Sequence, residues 1–470
     1  MKKISSTLLL ATALVFTGCQ DWLDINTNPN YLEETDYSLL MPSVELRLAE
    51  KVGYDLALYG HFWSQYVNQN SSTNQYYSVS QYNVTNSSFT GVWSYLYSGV
   101  LPGIREVKER AAQDPNGQEY LFEASILECY TFYLLTSLYD SVAYNEGYIK
   151  ESFEPHFDSG EAMQSILIAN LEEIRAMNMD TIKASAQVHI AASAATDMIF
   201  QHNVTNWLKF ANTLYLKILL RDFTANQAKI TALLAEDKFL DVKDADFDNF
   251  KDEPDKSNPF YESDRRQLNT PYNIRACNDI LNVLDSSDPR IKYFYTKTHN
   301  TNSFGTKYGV RVKPTASWAL NLEPTTPVYF GTIDEAEFLK AEAYARLNDP
   351  VSAETAYNAA LAAAFERVDC DPDTLITTSY KFDGTGTAEQ MVEQIINMKW
   401  ASNVKGLAIE SWFDLSRTGY PTRGTTITAF SGVLGTGRYP YRFIYSKTSA
   451  DYNANSPQTR EVYEKMWWQK

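Results

Sequence analysis

Five histidines and four cysteines in 470 residues leave little of the side-chain chemistry on which most zinc and thiol sites depend. The histidines (His61, His156, His189, His202 and His299) never pair as HxH or HExxH. A zinc site would need ligands gathered from distant segments, and none is assigned. No cysteines stand in CxxC spacing, and Cys129, Cys277 and Cys370 are an odd number that yields no disulfide framework. Cys129 lies in an apolar helical pattern and is expected as a buried free thiol. A GxSxG elbow, a Walker loop and a GxGxxG following a strand are all missing. Basic residues are outnumbered 41 to 58, for a net charge of −17. So acidic a surface argues against nucleic acid or anionic lipid as a partner, since both call for basic patches. Beyond the N-terminal segment, no run approaches the roughly 20 apolar residues that a membrane span requires.

Aromatic residues, by contrast, are abundant: 32 Tyr and nine Trp. Flat rings with a polar handle suit stacking on sugars, and they equally suit the interior of a large helical bundle. Helical periodicity dominates the chain. It predicts helices over Leu39–Tyr59, Trp93–Arg110, Tyr120–Tyr139, Ala162–Met177, Trp207–Arg221 and Met391–Trp412. The clearest is Trp207–Arg221, where Trp207, Phe210, Ala211, Leu214, Tyr215 and Ile218 follow the i, i+3, i+4, i+7 rule. Glu337–Phe365 fits a tetratricopeptide hairpin, with small Ala341, Ala353 and Ala360 allowing close packing and Tyr344 and Tyr357 filling the groove. Between the helices run long polar stretches: Asn68–Ser88, Asp241–Asn273, Thr298–Tyr329 and Arg417–Pro457. Loops of this length within a folded body are usually functional or disordered, and function is the expectation here. The fold class is therefore mostly α, a tetratricopeptide-like helical scaffold with long irregular loops.

The N-terminus has a distinct character. Lys2 and Lys3 precede the apolar run Leu8–Phe16, which ends at Thr17-Gly18-Cys19. That is the layout of a secretory signal, too short to span a bilayer. Cys directly after Gly18 makes it resemble a bacterial lipobox, with Phe16 where that pattern has Leu. The resemblance implies a signal peptide over 1–18, lipidation of Cys19 and a lipid-anchored linker over 19–38. An ordinary cleaved signal with a coincidental Cys is the alternative. Gln20–Tyr37 is Asn/Asp/Thr-rich and reads as an extended lead into a body spanning 39–470.

Positive signs of catalysis are missing. Asp244, Asp246, Asp248 and Asp255 resemble a calcium loop, but Asn249 replaces the required Gly and the twelfth position is Asp. A solvated acidic turn is the better reading. Acids are numerous enough for a glycosidase pair, yet nothing singles one out.

The C-terminal half carries a signature. In Gln394–Pro421, Lys399-Trp400, Glu410, Trp412, Asp414, Arg417, Gly419, Tyr420 and Pro421 resemble a segment of the SusD/RagB nutrient-binding lipoproteins. Pro440, Arg442, Tyr445, Asn453 and Asn455 resemble that family's closing segment, although Tyr441, Ser446 and Ser449 depart from it. Trp207–Asn212, Asn258–Tyr261 and Asp21–Asp24 are further matches. The resemblance implies a SusD-like helical protein with no cofactor and no covalent chemistry. It would be lipid-anchored on the outer face of the outer membrane, capturing oligosaccharides for a SusC-like TonB-dependent β-barrel transporter. In that picture, aromatic rings stack on sugar faces while polar groups bond hydroxyls. Trp63, Asn74, Tyr76, Tyr77, Tyr82, Trp318 and Tyr329 are the expected ligand-binding residues. Peptide binding on the same scaffold, a surface glycoside hydrolase and a purely scaffolding protein are the alternatives.

Overall fold

The computed structural model describes residues 36–469 apart from Pro271 and Asn300. The apolar run Leu8–Phe16, Cys19 and almost all of the lead up to Tyr37 lie outside the described residues.

Helices form most of the scaffold. Helix α1 (Met41–Glu50) opens with Pro42 in its first turn, where the missing N–H costs nothing, and passes through a π-helical turn into α2 (Ala57–Trp63). The pair covers the Leu39–Tyr59 expectation and runs one turn further. Helix α3 (Asn86–Tyr95) starts at a reciprocal cap between Thr85 and Ser88, and a second π turn leads into α4 (Leu101–Ala111). Helix α5 (Gln118–Tyr139) is buried on nearly every side, including three glutamates, Glu119, Glu123 and Glu128, among its apolar residues. Then follow α6 (Gly160–Arg175), α7 (Met179–Ala192), α8 (Val204–Leu219) and α9 (Phe223–Glu236). Periodicity did not reveal α7 and α9, because each buries only three or four side chains and leaves a narrow apolar stripe.

The tetratricopeptide-like hairpin is present as α10 (Ile333–Arg346) and α11 (Pro350–Glu366). Ala341, Ala353, Tyr357 and Ala360 are all fully buried between neighbouring helices. Asn348 takes a left-handed conformation in the turn, and the Asp349 carboxylate accepts from the Ser352 N–H to start α11. The expected helix Met391–Trp412 is two helices, α12 (Ala388–Ser402) and α13 (Ala408–Thr418). The chain turns between them at Asn403–Leu407.

Among the described residues, six short strands lie in or beside the long polar stretches. Strands β1 (Val67–Gln69), β3 (Ile274–Ala276), β4 (Tyr295–Thr296) and β5 (Ala319–Leu320) form an antiparallel sheet in the order β1-β3-β5-β4. Strand β2 (Ala245–Phe247) pairs separately with β6 (Val328–Gly331). These strands run two to four residues, too short for alternation to show in sequence. The expected buried thiol Cys129 is buried and free, as is Cys277.

A buried ionic network joins four of the helices. Arg417 on α13 forms a two-pronged pair with Glu342 on α10 (2.6 and 2.8 Å) and reaches Asp414 at 2.7 Å. Asp414 also receives Lys399 of α12 at 2.8 Å. Lys217 of α8 bridges Glu335 (2.8 Å) and Glu410 (3.3 Å), whose other oxygen accepts the Tyr133 hydroxyl at 2.6 Å. Burial alone would raise the Glu342 carboxyl, but the Arg417 and Arg346 guanidiniums hold it well below the usual carboxylate range.

Helices α2 and α13 cross so closely that a Cβ on Gly60 would lie 2.4 Å from the Ile409 nitrogen and 2.5 Å from the Ala408 carbonyl carbon. Backbone on both sides cannot give way, so Gly60→Ala should destabilise the protein by about 2 kcal/mol or more in urea unfolding. A change under about 0.5 kcal/mol would show that the crossing is loose. At the next residue, burial pushes the His61 imidazole down to about 4, against the Ala57 and Val404 carbonyls. The unfolded chain therefore binds a proton that the folded chain refuses between about pH 6.5 and pH 4, and stability falls as pH drops through that window. Between pH 7 and pH 5 the wild type should lose about 2 kcal/mol more than His61→Leu. Equal losses would contradict a neutral, buried His61.

Candidate functional site

The polar stretches converge beside β1 and β3. Antiparallel pairing sets Asn68 opposite Arg275 and Gln69 opposite Ile274. Around this pair, the Asn/Gln-rich sequence folds into a buried hydrogen-bond lattice. The Gln69 amide donates to Asn273 Oδ1 at 2.5 Å, and its oxygen accepts the Tyr76 N–H at 2.9 Å. Asn70 donates to the Asn273 carbonyl at 3.0 Å, and Asn273 donates to Asp264 at 3.0 Å. Asn68 binds Thr306 and the Gly309 N–H, tying in the 306–312 segment. These amides are buried and fully engaged, so they position loops instead of offering themselves to a ligand.

Arg311 closes the lattice from outside. Its guanidinium donates to the Asn70 carbonyl (3.0 Å), the Thr73 carbonyl (2.5 Å) and Asn74 Oδ1 (2.9 Å). The same group lies 4.3 Å from the centroid of the Tyr77 ring, which remains 38% exposed. Next to Asn273, Tyr272 is also 38% exposed, with Arg265 6.0 Å from its ring and His299 edge-on at 6.1 Å. Tyr272 and His299 both hold positive φ (60° and 51°), a conformation that costs about a kcal/mol or more and persists only where surroundings enforce it. Burial, together with neighbouring Arg265, pushes Arg275 down to about 10, while Ser317 and Thr298 accept its hydrogen bonds. A chain of −17 thus gathers Arg265, Arg275 and Arg311 around two exposed tyrosines.

The residues singled out in the sequence are distributed unevenly. Asn74 and Tyr77 sit on this platform. Trp318 is half-buried against Phe304, with rings 5.5 Å apart, next to the Ser317 that holds Arg275. Trp63 offers no ring face: it is enclosed by Tyr59, Phe89, Trp412 and Phe443, and its indole N–H donates to Val79. Tyr76 packs on Phe62, and Tyr82 on Tyr308 and Phe430, so both serve the core. Tyr329 is buried on β6 beneath Arg367 and lines a separate cavity of about 60 Å³ with His61 and Lys405. Sequence reasoning missed Arg311, Tyr272 and His299; their loops were marked, but no motif distinguishes one loop arginine from another.

The expected solvated acidic turn holds at Asp255, exposed in a turn, while the start of the segment is strand β2. Asp246 lies on β2 bonded to Lys243, and Asp244 accepts the Ile333 N–H at 2.8 Å. Burial pushes the Asp244 carboxyl up to about 6. A second concavity of about 750 Å³ runs between α1 and residues 247–267, lined by Tyr54, Phe247 and Phe250. Three of its acids are engaged: Asp55 by Lys51, Glu50 by Tyr95, and Glu262 by Ser257.

The signature residues lie elsewhere. Lys399, Trp400, Glu410, Trp412, Asp414 and Arg417 are all buried, in the ionic network or around it. The Trp400 indole donates to the Ser64 carbonyl (3.0 Å) and that of Trp412 to the Pro440 carbonyl (2.9 Å). Asn453 and Asn455 donate to the Pro155 and Glu154 carbonyls.

Solved structures share this architecture. A chitin-binding SusD homolog from Flavobacterium johnsoniae superposes with a TM-score of 0.71 at 18% identity, covering 92% of this chain and 97% of its own. A SusD homolog from Bacteroides uniformis gives 0.70 at 20% identity, with 93% and 100% covered. A further chitin-binding protein gives 0.75 at 19% identity over 93% and 100%. At such identities the likeness establishes the helical, tetratricopeptide-like fold. No curated protein matches the chain. The family model described as "Starch-binding associating with outer membrane" matches residues 29–446, and the chain belongs to this SusD-like family.

Proposed function

We propose that the protein is a cell-surface binder of oligosaccharides, held at the outer membrane by lipid on Cys19, that delivers them to a SusC-like TonB-dependent β-barrel. Residues 39–470 act in this reading as one ligand-binding unit. The observation that carries it is the platform of Tyr77 and Tyr272, two exposed rings set among arginines on loops locked from behind. The family description names starch, and a relative of the same fold is described as chitin-binding. Both polymers present apolar pyranose faces edged by hydroxyls, which rings and arginine N–H groups match. Asn74, Tyr77, Tyr272, Arg311 and Trp318 form the proposed contact set.

Among the described residues no helix is long and apolar enough to cross a membrane, which fits attachment through the N-terminus. Capture without catalysis gives such a protein a use only if the ligand passes on, hence the transporter partner. Peptide binding is the second reading; Arg265 and Arg311, the two partly exposed arginines of the platform, would receive a C-terminal carboxylate as readily as a hydroxyl.

Calorimetry against maltooligosaccharides, chitooligosaccharides and a peptide mixture separates these readings. Saturable oligosaccharide binding is expected, with no cleavage products on chromatography. Tyr77→Ala should weaken it about tenfold, the equivalent of roughly 1.4 kcal/mol. Tyr452→Ala, exposed on a different part of the surface, should leave it unchanged. Binding of peptides alone, or release of shorter sugars by the pure protein, would overturn the proposal.

A further inference from the structure

The proposed oligosaccharide platform makes no use of a cluster of acids and histidines buried where α1, α5 and the 193–203 segment meet. Glu119 and Glu123 stand one turn apart on α5 and so share a face. Glu45 comes from α1, Asp197 and His202 from the connecting segment, and His189 from α7. All four carboxylates and His202 are buried. Asp197 is saturated: its oxygens accept the Ile199, Phe200 and His202 N–H groups and the Trp207 indole, at 2.7–3.0 Å. Glu119 lies 2.8 Å from His202 Nδ1 and 2.7 Å from His189 Nδ1. Glu123 is different, since neither of its buried oxygens has a hydrogen-bond partner. One oxygen of Glu45 is also unpartnered, the other accepting the Met198 N–H at 2.9 Å.

The geometry points to a site for one divalent first-row cation, ligated by Glu119, Glu123 and His202. Their ligand atoms all lie within 4.8 Å of one another. An ion with bonds of about 2.0–2.2 Å holds its ligands at most about 4.4 Å apart, so side-chain movements of a few tenths of an ångström complete the site. His202 can take the form that a metal ligand needs. Its Nε2 lies 3.1 Å from the Thr196 hydroxyl and 3.2 Å from the Ser193 carbonyl, so this nitrogen can carry the hydrogen or accept one. With Nε2–H on the Ser193 carbonyl, Nδ1 is free to ligate an ion beside Glu119, and without the ion an Nδ1–H donates to the Glu119 oxygen at 2.8 Å. A metal-bound histidine characteristically donates its other N–H to a carbonyl or carboxylate. Two carboxylates and one imidazole suit Zn²⁺ or Mn²⁺ better than Ca²⁺, which prefers oxygen throughout. Asp197 fixes the segment that carries His202, and the bound ion would fasten that segment to α5.

The competing occupant is a proton shared among the carboxyls, and the test separates the two. The full chain, treated with chelator and dialysed at pH 7.5, is titrated with Zn²⁺ and with Mn²⁺ by calorimetry and thermal unfolding. One equivalent of at least one ion should bind and raise the Tm by several degrees. Glu123→Gln and His202→Gln should each weaken binding about 100-fold. X-ray absorption on the Zn²⁺-loaded wild type should show one imidazole with carboxylate oxygens, which tests the site even if neither variant folds. A folded wild type that takes up neither ion, uptake unaffected by both substitutions, or a spectrum without imidazole would overturn the proposal.

Discussion

Charges buried without partners are among the costliest features a fold can contain, and this protein buries a connected set of charges that partner one another. Glu335, Glu342, Glu410 and Asp414 meet Lys217, Lys399 and Arg417 in one network drawn from α8, α10, α12 and α13. Removing one member of a buried pair typically costs about 3–5 kcal/mol, because the partner left behind stays desolvated. Each helix can therefore sit in essentially one place relative to the others. Trp400 and Trp412 reinforce that placement by donating across it to backbone carbonyls at Ser64 and Pro440.

That rigidity carries through to the surface. Ser64 follows α2 directly, and three residues later the chain enters β1, the edge from which the loop lattice is built. The helical core thus fixes α2, α2 fixes β1, and β1 holds Asn68, Gln69 and Asn70 against Asn273 and the 306–312 segment. Arg311 and Tyr77 stand on the outside of this stack. Loops held this way keep exposed rings in set orientations, which lowers the ordering cost of binding.

Different layers of the protein were legible in its sequence to different degrees. The long helices announced themselves because their apolar residues recur at helical spacing, as in Trp207–Ile218. The tetratricopeptide hairpin showed through Ala341, Ala353 and Ala360. The SusD-like signature was readable as well, but its physical meaning was not: Lys399, Glu410, Asp414 and Arg417 mark the scaffold and touch no exposed loop. Enrichment in tyrosine and tryptophan misled in part, since Trp63, Tyr82 and Tyr329 are aromatic for the sake of packing. What distinguishes them from Tyr77 is burial, which arises from contacts hundreds of residues apart, such as Trp63 with Trp412. Asn68, Gln69 and Asn70 open a stretch expected to be functional, yet bond their own chain, because buried strand ends and turns must satisfy their polar groups internally.

The central claim is that one layer of this sequence builds the scaffold while a separate loop platform meets the ligand. A crystal structure of the protein with a bound maltooligosaccharide tests it most directly. The account predicts sugar rings against Tyr77 and Tyr272, with hydroxyls bonded to Arg311 and Asn74, and an unchanged ionic network beneath. Sugar seated in the groove between α1 and residues 247–267, or reaching Asp414 and Arg417 through a rearranged core, would contradict it.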